Sequence, residues 1–242
     1  MFRHFIITRF NVRVGKPQND KNGNHTNTDV WLKNRIDLFE KYCLPSIVGQ
    51  TSKNFIWLVL FDKKSIQEYM HKIEAYRAVC PQFQPLFFDE LSSDELSEKL
   101  IAAISSALTD KDEYLITTRL DNDDAIHIEM IEAIQSWFPK ENCFLNFPYG
   151  YQYDIAQKQT YLLQHCNNNH FISRIESTKE HFYTVIQCEH TKIDQFAKVY
   201  NITVNDNPTP VWIETIHDKN ILNRVRINAK PVDTSFPFEG FY

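Results

Sequence analysis

At 242 residues, 43% hydrophobic and 24% charged, the chain is long enough to bury one large core or two small ones and is no disordered tail. Its five glycines lie too far apart for a G-x-G-x-x-G or G-x-x-x-x-G-K loop, which excludes a Rossmann fingerprint and a Walker loop. The net charge of −5, with no basic run, argues against nucleic acid as a partner, and five scattered cysteines without a C-x-x-C fit a reduced, cytoplasmic compartment.

Arg3, His4 and Arg9 interrupt the apolar N-terminus, so no signal peptide is expected. The longest apolar run, Phe55–Phe61, is far short of a membrane span. Phe5–Thr8 reads as a short buried strand that runs on into Arg9–Arg13. Residues 15–30 are polar and turn-rich, and read either as a mobile flap or as a passive insertion. Trp31–Val48 reads as a helix with Leu32, Ile36, Phe39, Tyr42 and Cys43 on one face, kinked or restarted by Pro45. Phe55–Phe61 is a continuous apolar strand ending at Asp62. A helix over Ser65–Val79 and a strand over Phe83–Phe88 follow.

Ser92 and Glu95 form a capping box for an amphipathic helix that carries Leu96, Leu100, Ala103, Ile104, Ala107 and Leu108. Tyr114–Leu120 is the fourth strand and ends in Asp121-Asn122-Asp123-Asp124. The next helix has Met130, Ile131, Ile134, Trp137 and Phe138 on one side. This alternation predicts a mostly parallel sheet with helices on both faces and ligands outside the carboxyl ends of the strands. Thr8-Arg9, Asp62 and Arg119–Asp124 would then converge on one crevice.

The second half reads as a smaller mixed β part. Aromatic-rich strands are expected at Cys143–Tyr149, Tyr151–Ile155, Thr160–Gln164, Phe171–Arg174 and His181–Gln187, with helices near Lys192–Val199 and after His217. No linker intervenes, so one domain over residues 1–242 is expected, its halves sharing one continuous sheet. Residues 1–140 would be the nucleotide-binding half and 141–242 the acceptor-side half.

Three carboxylates within four residues repel one another unless a cation or solvent neutralises them. A plain turn is the competing explanation, because Asp and Asn are favoured there. An EF-hand does not fit, since Ala125 and Ile126 stand where an oxygen ligand and a glycine are needed. A phosphatase of the haloacid dehalogenase type is disfavoured because the first strand ends in Thr8-Arg9 and not in an aspartate pair. D-x-D after the fourth strand is where GT-A nucleotide-sugar transferases hold a divalent ion, with Arg119 as a second cation.

A second cluster runs from Trp212 to Asn220. His217, at the start of an expected helix, would reach the metal or the diphosphate, and Glu214 is the candidate general base for an acceptor hydroxyl. Set against this, single histidines are more commonly structural. Asp154 is a weaker base candidate, within an aromatic stretch that is core or presents rings to a sugar. The histidines and cysteines between 165 and 190 fit no pair-plus-pair zinc spacing.

Several stretches together resemble the bacterial rhamnosyltransferase family of GT-A-like glycosyltransferases over nearly the whole chain. They are Ile7–Asn11; Trp31-Leu32 with Arg35, Leu38, Phe39, Tyr42–Ile47 and Gln50; Trp57–Asp62; Thr118–Ala125; and Trp212–His217 with Asn220. The resemblance implies a nucleoside-diphosphate-sugar donor, Mn²⁺ or Mg²⁺, and a glycan or lipid-linked glycan acceptor. It implies Asp121 and Asp123 at the ribose and metal, with Asp124 supporting. Thr8, Arg9 and Asp62 would line the nucleotide pocket, and His217 would complete the metal or phosphate site. The role of Glu214 does not come from the resemblance. A lipid-linked acceptor would bring the protein to the inner face of a membrane, although no amphipathic basic helix stands out. Two other readings stay open. A nucleotidyltransferase would need a glycine-rich, lysine-bearing loop, for which Gly15-Lys16 is too sparse; the other is a non-catalytic sugar-nucleotide or glycan-binding protein.

Overall fold

The first apolar run folds as β1 (Phe2–Arg9), at the centre of a seven-stranded sheet in a computed structural model. The structure describes all residues except 17, 18, 168, 206, 207, 221, 222, 234–239 and 242. Beside β1 lie β2 (Ile56–Asp62), β3 (Phe83–Phe88) and β4 (Tyr114–Arg119), all parallel. Such strands are buried on both faces, which is why β2 is an unbroken apolar run. Because the four run the same way, Arg9, Asp62 and Arg119 all emerge at one edge.

Three strands of the second half extend this sheet. β9 (Ile172–Ser177) runs antiparallel between β4 and β6 (Cys143–Asn146), and β10 (Lys198–Asn201) lies parallel to β6. A second, five-stranded mixed sheet holds β5 (Ala125–Ile126), β7 (Gly150–Asp154), β8 (Gln159–Leu163), β11 (Trp212–Ile216) and β12 (Lys230–Val232). The chain therefore has the expected mostly parallel central sheet, shared by its two halves, and the smaller mixed β part forms a second sheet beside it.

Side chains of β1 alternate between two cores. Ile6 faces a layer with α1 (Asp29–Leu38), α2 (Leu44–Val48), α3 (Met70–Val79) and α5 (Met130–Ser136). Phe5 and Ile7 face α4 (Ser93–Ala107), whose capping box is present as read. Trp212 lies flat on Phe171, with ring centroids 4.8 Å apart, and its indole donates to the Phe147 carbonyl.

Several boundaries differ from expectation. The α-helix that starts at Asp29 restarts at Leu44-Pro45 as read, but through a π-helical turn, Phe39–Cys43, that joins α1 to α2; the proline sits in the first turn of α2, where its missing N–H is tolerated. Ser65–Val79 begins as a 3₁₀ turn, so α3 starts at Met70. β6 stops at Asn146, whose amide donates to the Cys166 carbonyl and to Asn201. His181–Gln187 is not a strand: Thr184 has φ 74° and ψ 158°, and a 3₁₀ turn follows. Lys192–Val199 is not a helix but the end of a 3₁₀ turn and the start of β10.

No helix follows His217 among the described residues. Asn220 Oδ1 accepts the His217 N–H and closes a tight turn, competing with helical hydrogen bonding. Residues 221 and 222 of that expected helix, and 17 and 18 of the expected flap, lie outside the described residues. Segment 15–30 is fastened to the rest of the chain at Gly15 and Lys21 and folds on itself at Asp20. Gly15 N–H donates to the Leu91 carbonyl, Lys21 N–H to the Asn220 carbonyl, and Asp20 accepts from Asn22 and Asn24. Among the described residues no helix is long and apolar enough to cross a membrane.

Candidate functional site

The turn after β4 is held by its own side chains. Asn122 donates to the Phe10 carbonyl at 2.6 Å, pinning the turn to the exit of β1. The three aspartates then divide four basic groups among them, with none in common. Asp121 takes a two-pronged contact from Arg119, with Nε at 3.2 Å and Nη2 at 2.9 Å. Asp123 Oδ2 lies 2.5 Å from Arg35 Nη1 and 2.9 Å from His217 Nε2, and accepts from Asn220 at 3.2 Å. Asp124 Oδ2 pairs with His170 Nε2 at 2.8 Å, while its Oδ1 accepts the Thr215 N–H at 2.8 Å. His217 Nδ1 accepts from the Lys219 N–H, which assigns the proton to Nε2 and makes it a donor to Asp123.

These partners set the charges. Burial pushes the Asp121 carboxyl up, but the Arg119 guanidinium, with His170 and Arg9, outweighs it and holds the group well below the usual range. Asp123 is lowered in the same way, burial being outweighed by Arg35 and His217. Asp124 goes the other way and is pushed up to about 8 by burial and by the charge on Asp123. The turn thus holds two firm anions and one carboxyl that shares a proton with its histidine.

Above the turn opens a cavity of about 470 Å³. Asp121 and Asp123 lie in its wall together with Arg9, Arg13, Arg35 and Arg119. With Lys16, these four guanidinium groups outnumber Asp121, Asp123 and Glu90 in the wall, a charge balance suited to a polyanion such as a diphosphate. Among the described residues, Asp121, Asp124 and His170 offer three ligand atoms within 4.8 Å of one another, a donor set for a divalent cation.

Of the residues read from sequence, Arg9, Arg119, Asp121 and Asp123 come together at the cavity. His217 sits behind Asp123. Thr8 is buried in the helix-facing layer, where its hydroxyl accepts from the Trp57 indole at 2.9 Å, and does not line the cavity. Asp62 does not line it either. Its Oδ1 accepts from Arg13 at 2.9 Å and its Oδ2 from the Ser65 N–H and hydroxyl, which fastens the end of β2 to the cavity wall through Arg13. Glu214 is buried on β11 and accepts from Gln152 at 2.7 Å, outside this cavity. Asp154 caps a turn by accepting from Ala156 and Gln157.

Two residues carry more of the site than the sequence reading assigned. Arg35 reaches Asn122, Asp123 and the Lys219 carbonyl from α1. Its signal was an arginine inside the apolar stripe Leu32-Ile36-Phe39. His170 was one histidine among several, and nothing in its spacing pointed to a carboxylate 46 residues upstream.

Among solved structures, the chain is similar to S. aureus TarS 1–349, with 12% identity and a TM-score of 0.47 over 89% of this chain and 60% of that one. The same fragment in complex with UDP gives 14% identity and a TM-score of 0.47 over 89% and 61%. A "putative nucleotide-diphospho-sugar transferase" from Desulfovibrio desulfuricans G20 gives 10% identity and a TM-score of 0.41 over 90% and 84%. The chain spans about three fifths of the TarS fragment it matches. No curated protein matches the sequence. The family described as "Putative rhamnosyl transferase" matches residues 6–229, a span that runs from β1 to the approach of β12 and takes in the whole acidic turn, and the chain belongs to that glycosyltransferase family.

Proposed function

We propose that this protein transfers a sugar, rhamnose on the family's description, from a nucleoside-diphosphate donor to a glycan or lipid-linked glycan acceptor of a cell-surface polysaccharide or lipopolysaccharide. The observation that carries this reading is the acidic turn facing a cavity walled by Arg9, Arg13, Arg35 and Arg119. The departing nucleoside diphosphate gains negative charge as the glycosidic bond breaks. Fixed guanidinium groups in a partly desolvated cavity stabilise that charge without reorganising. Arg119 is oriented for this by Asp121, and Arg35 by Asp123 and Asn122.

Mn²⁺ or Mg²⁺ fits the donor set of Asp121, Asp124 and His170, and when bound there would offset charge on the leaving diphosphate. Asp123 and His217 are the ligands suggested by the resemblance. We read them as positioning residues, because the ligand atoms that lie within 4.8 Å of one another come from Asp121, Asp124 and His170, while Asp123 and His217 hold each other and Arg35. Glu214 we read as the group that holds β11 to β7 through Gln152, and not as the base.

The test is thermal stability with UDP, GDP, dTDP and CMP, each with and without Mn²⁺. A ligand that binds only the folded state at a hundredfold excess over its Kd stabilises by about 2.7 kcal/mol. The expected result is a metal-dependent shift for one nucleotide, followed by release of that nucleotide from its rhamnose conjugate. No shift with any of them overturns the donor site. A shift without turnover on any acceptor leaves a binding protein.

A further inference from the structure

A second cavity, of about 340 Å³, meets the first at Arg9 and Arg119. Its other wall is the segment Ile186–Thr191. The support beneath that wall is built and not loose. Tyr183 and Thr184 donate their backbone N–H groups to the two oxygens of Glu176, each at 2.9 Å. Val185 donates to Thr117 Oγ1 at 2.9 Å, and Arg174 bridges Glu176 and Cys188 Sγ. These bonds hold Thr184 at φ 74° and ψ 158°, a region that a β-branched residue enters only when its surroundings over-determine it.

The wall is mixed in character. Gln187 is half-buried in this wall, and its side chain brings an amide to the cavity. His190 and Thr191 add polar groups, Arg9 and Arg119 add cationic donors, and Ile186 adds an apolar patch. A sugar matches this set: each hydroxyl donates and accepts, and the C–H face of the ring is apolar. The exposed Glu189 carboxylate at the rim works against a second anion.

We propose that this second cavity is the acceptor subsite and takes a sugar ring, with the Gln187 side chain hydrogen-bonding one of its hydroxyls. The inference rests on the donor reading of the first cavity. Arg9 and Arg119 then stand on the boundary between the two substrates, at the place where the transferred sugar has to cross.

The probes are the methyl glycosides of rhamnose, glucose, galactose and mannose at millimolar concentration. They are read by saturation-transfer NMR on the full chain with Mn²⁺ and the nucleotide that shifts its stability. The expected result is saturation transfer to at least one glycoside. Gln187→Leu is expected to weaken that glycoside about tenfold, the effect of one lost hydrogen bond. Thr191→Trp, which fills the cavity from its exposed rim, is expected to abolish the signal, and circular dichroism checks that both variants are folded. Both should keep the nucleotide-induced shift. Transfer to no glycoside, or unchanged affinity in both variants, overturns the subsite. Displacement of the glycoside by inorganic phosphate at equal concentration would identify an anion site and overturn it too. Loss of the nucleotide shift in the unsubstituted chain would instead sink the donor reading, and the glycoside signals would still report on the cavity.

Discussion

The Arg35 guanidinium and the Asp123 carboxylate meet at 2.5 Å, with side chains 7% and 6% exposed. Helix α1 and the acidic turn are thus joined by a desolvated ion pair, and desolvated pairs behave asymmetrically. Losing one partner leaves a buried charge, whereas replacing both removes the need for either.

Arg35→Met should therefore destabilise the fold by about 3–5 kcal/mol, measured by urea unfolding. Asp123→Leu in the same chain should recover a large part of that loss. A double-mutant cycle with coupling near zero would show that His217 and Asn220 alone satisfy Asp123.

Mn²⁺ binding separates the two histidines. His170→Ala should cost on the order of a hundredfold in Mn²⁺ affinity, and His217→Ala no more than about tenfold, since His217 acts on the site through Asp123. Isothermal titration gives both numbers. The reverse order would move the ion to Asp123 and His217.

Gly150 lies against the indole of Trp212. A Cβ built there would fall 2.1 Å from Trp212 Cδ2, and the ring has nowhere to go, being stacked on Phe171 and hydrogen-bonded to the Phe147 carbonyl. Gly150→Ala should cost about 1–3 kcal/mol or more as an overpacking substitution, read as a fall in Tm. An unchanged Tm would mean that β7 and β11 slide apart freely.

His4 is buried in the large sheet, between Thr118 Oγ1 at 2.7 Å and Gln135 Nε2 at 3.1 Å. Burial pulls its pKa from the ordinary 6.5 to about 3. The unfolded chain therefore binds one more proton than the folded chain between those values. Stability should fall as pH drops through that window, with a slope from this group of at most about 1.4 kcal/mol per pH unit. The slope should shrink by that amount in His4→Gln, measured by urea unfolding from pH 8 to pH 4. An unchanged slope would assign the acid sensitivity to other groups.

The parallel half of the fold was legible because its signals are local. Phe55–Phe61 is an unbroken apolar run, and Ser92 with Glu95 is a capping box within four residues. The second half was less legible because its backbone is organised by distant side chains. Trp212–Ile216 reads apolar, apolar, polar, polar, apolar, so it gives no strand alternation. Glu214 and Thr215 are both buried, paired with Gln152 and with the acidic turn, so burial does not follow polarity there. The turn after His217 was mistaken for a helix start because its closing bond comes from the Asn220 side chain. At the site, the aspartates announced themselves by spacing. Their partners Arg35, His170 and His217 lie 88, 46 and 94 residues away in the chain, distances at which single-residue patterns carry no information.

Asp124 belongs to the turn after β4, yet one of its oxygens is satisfied by the backbone of β11. The acidic cluster is therefore complete only when the small sheet has docked on the large one. Before docking, a partly folded chain carries three neighbouring carboxylates without His217 and without the Thr215 N–H. The finished site acts as a latch on the last step of assembly, so a donor that binds there selects chains in which folding has run to the end.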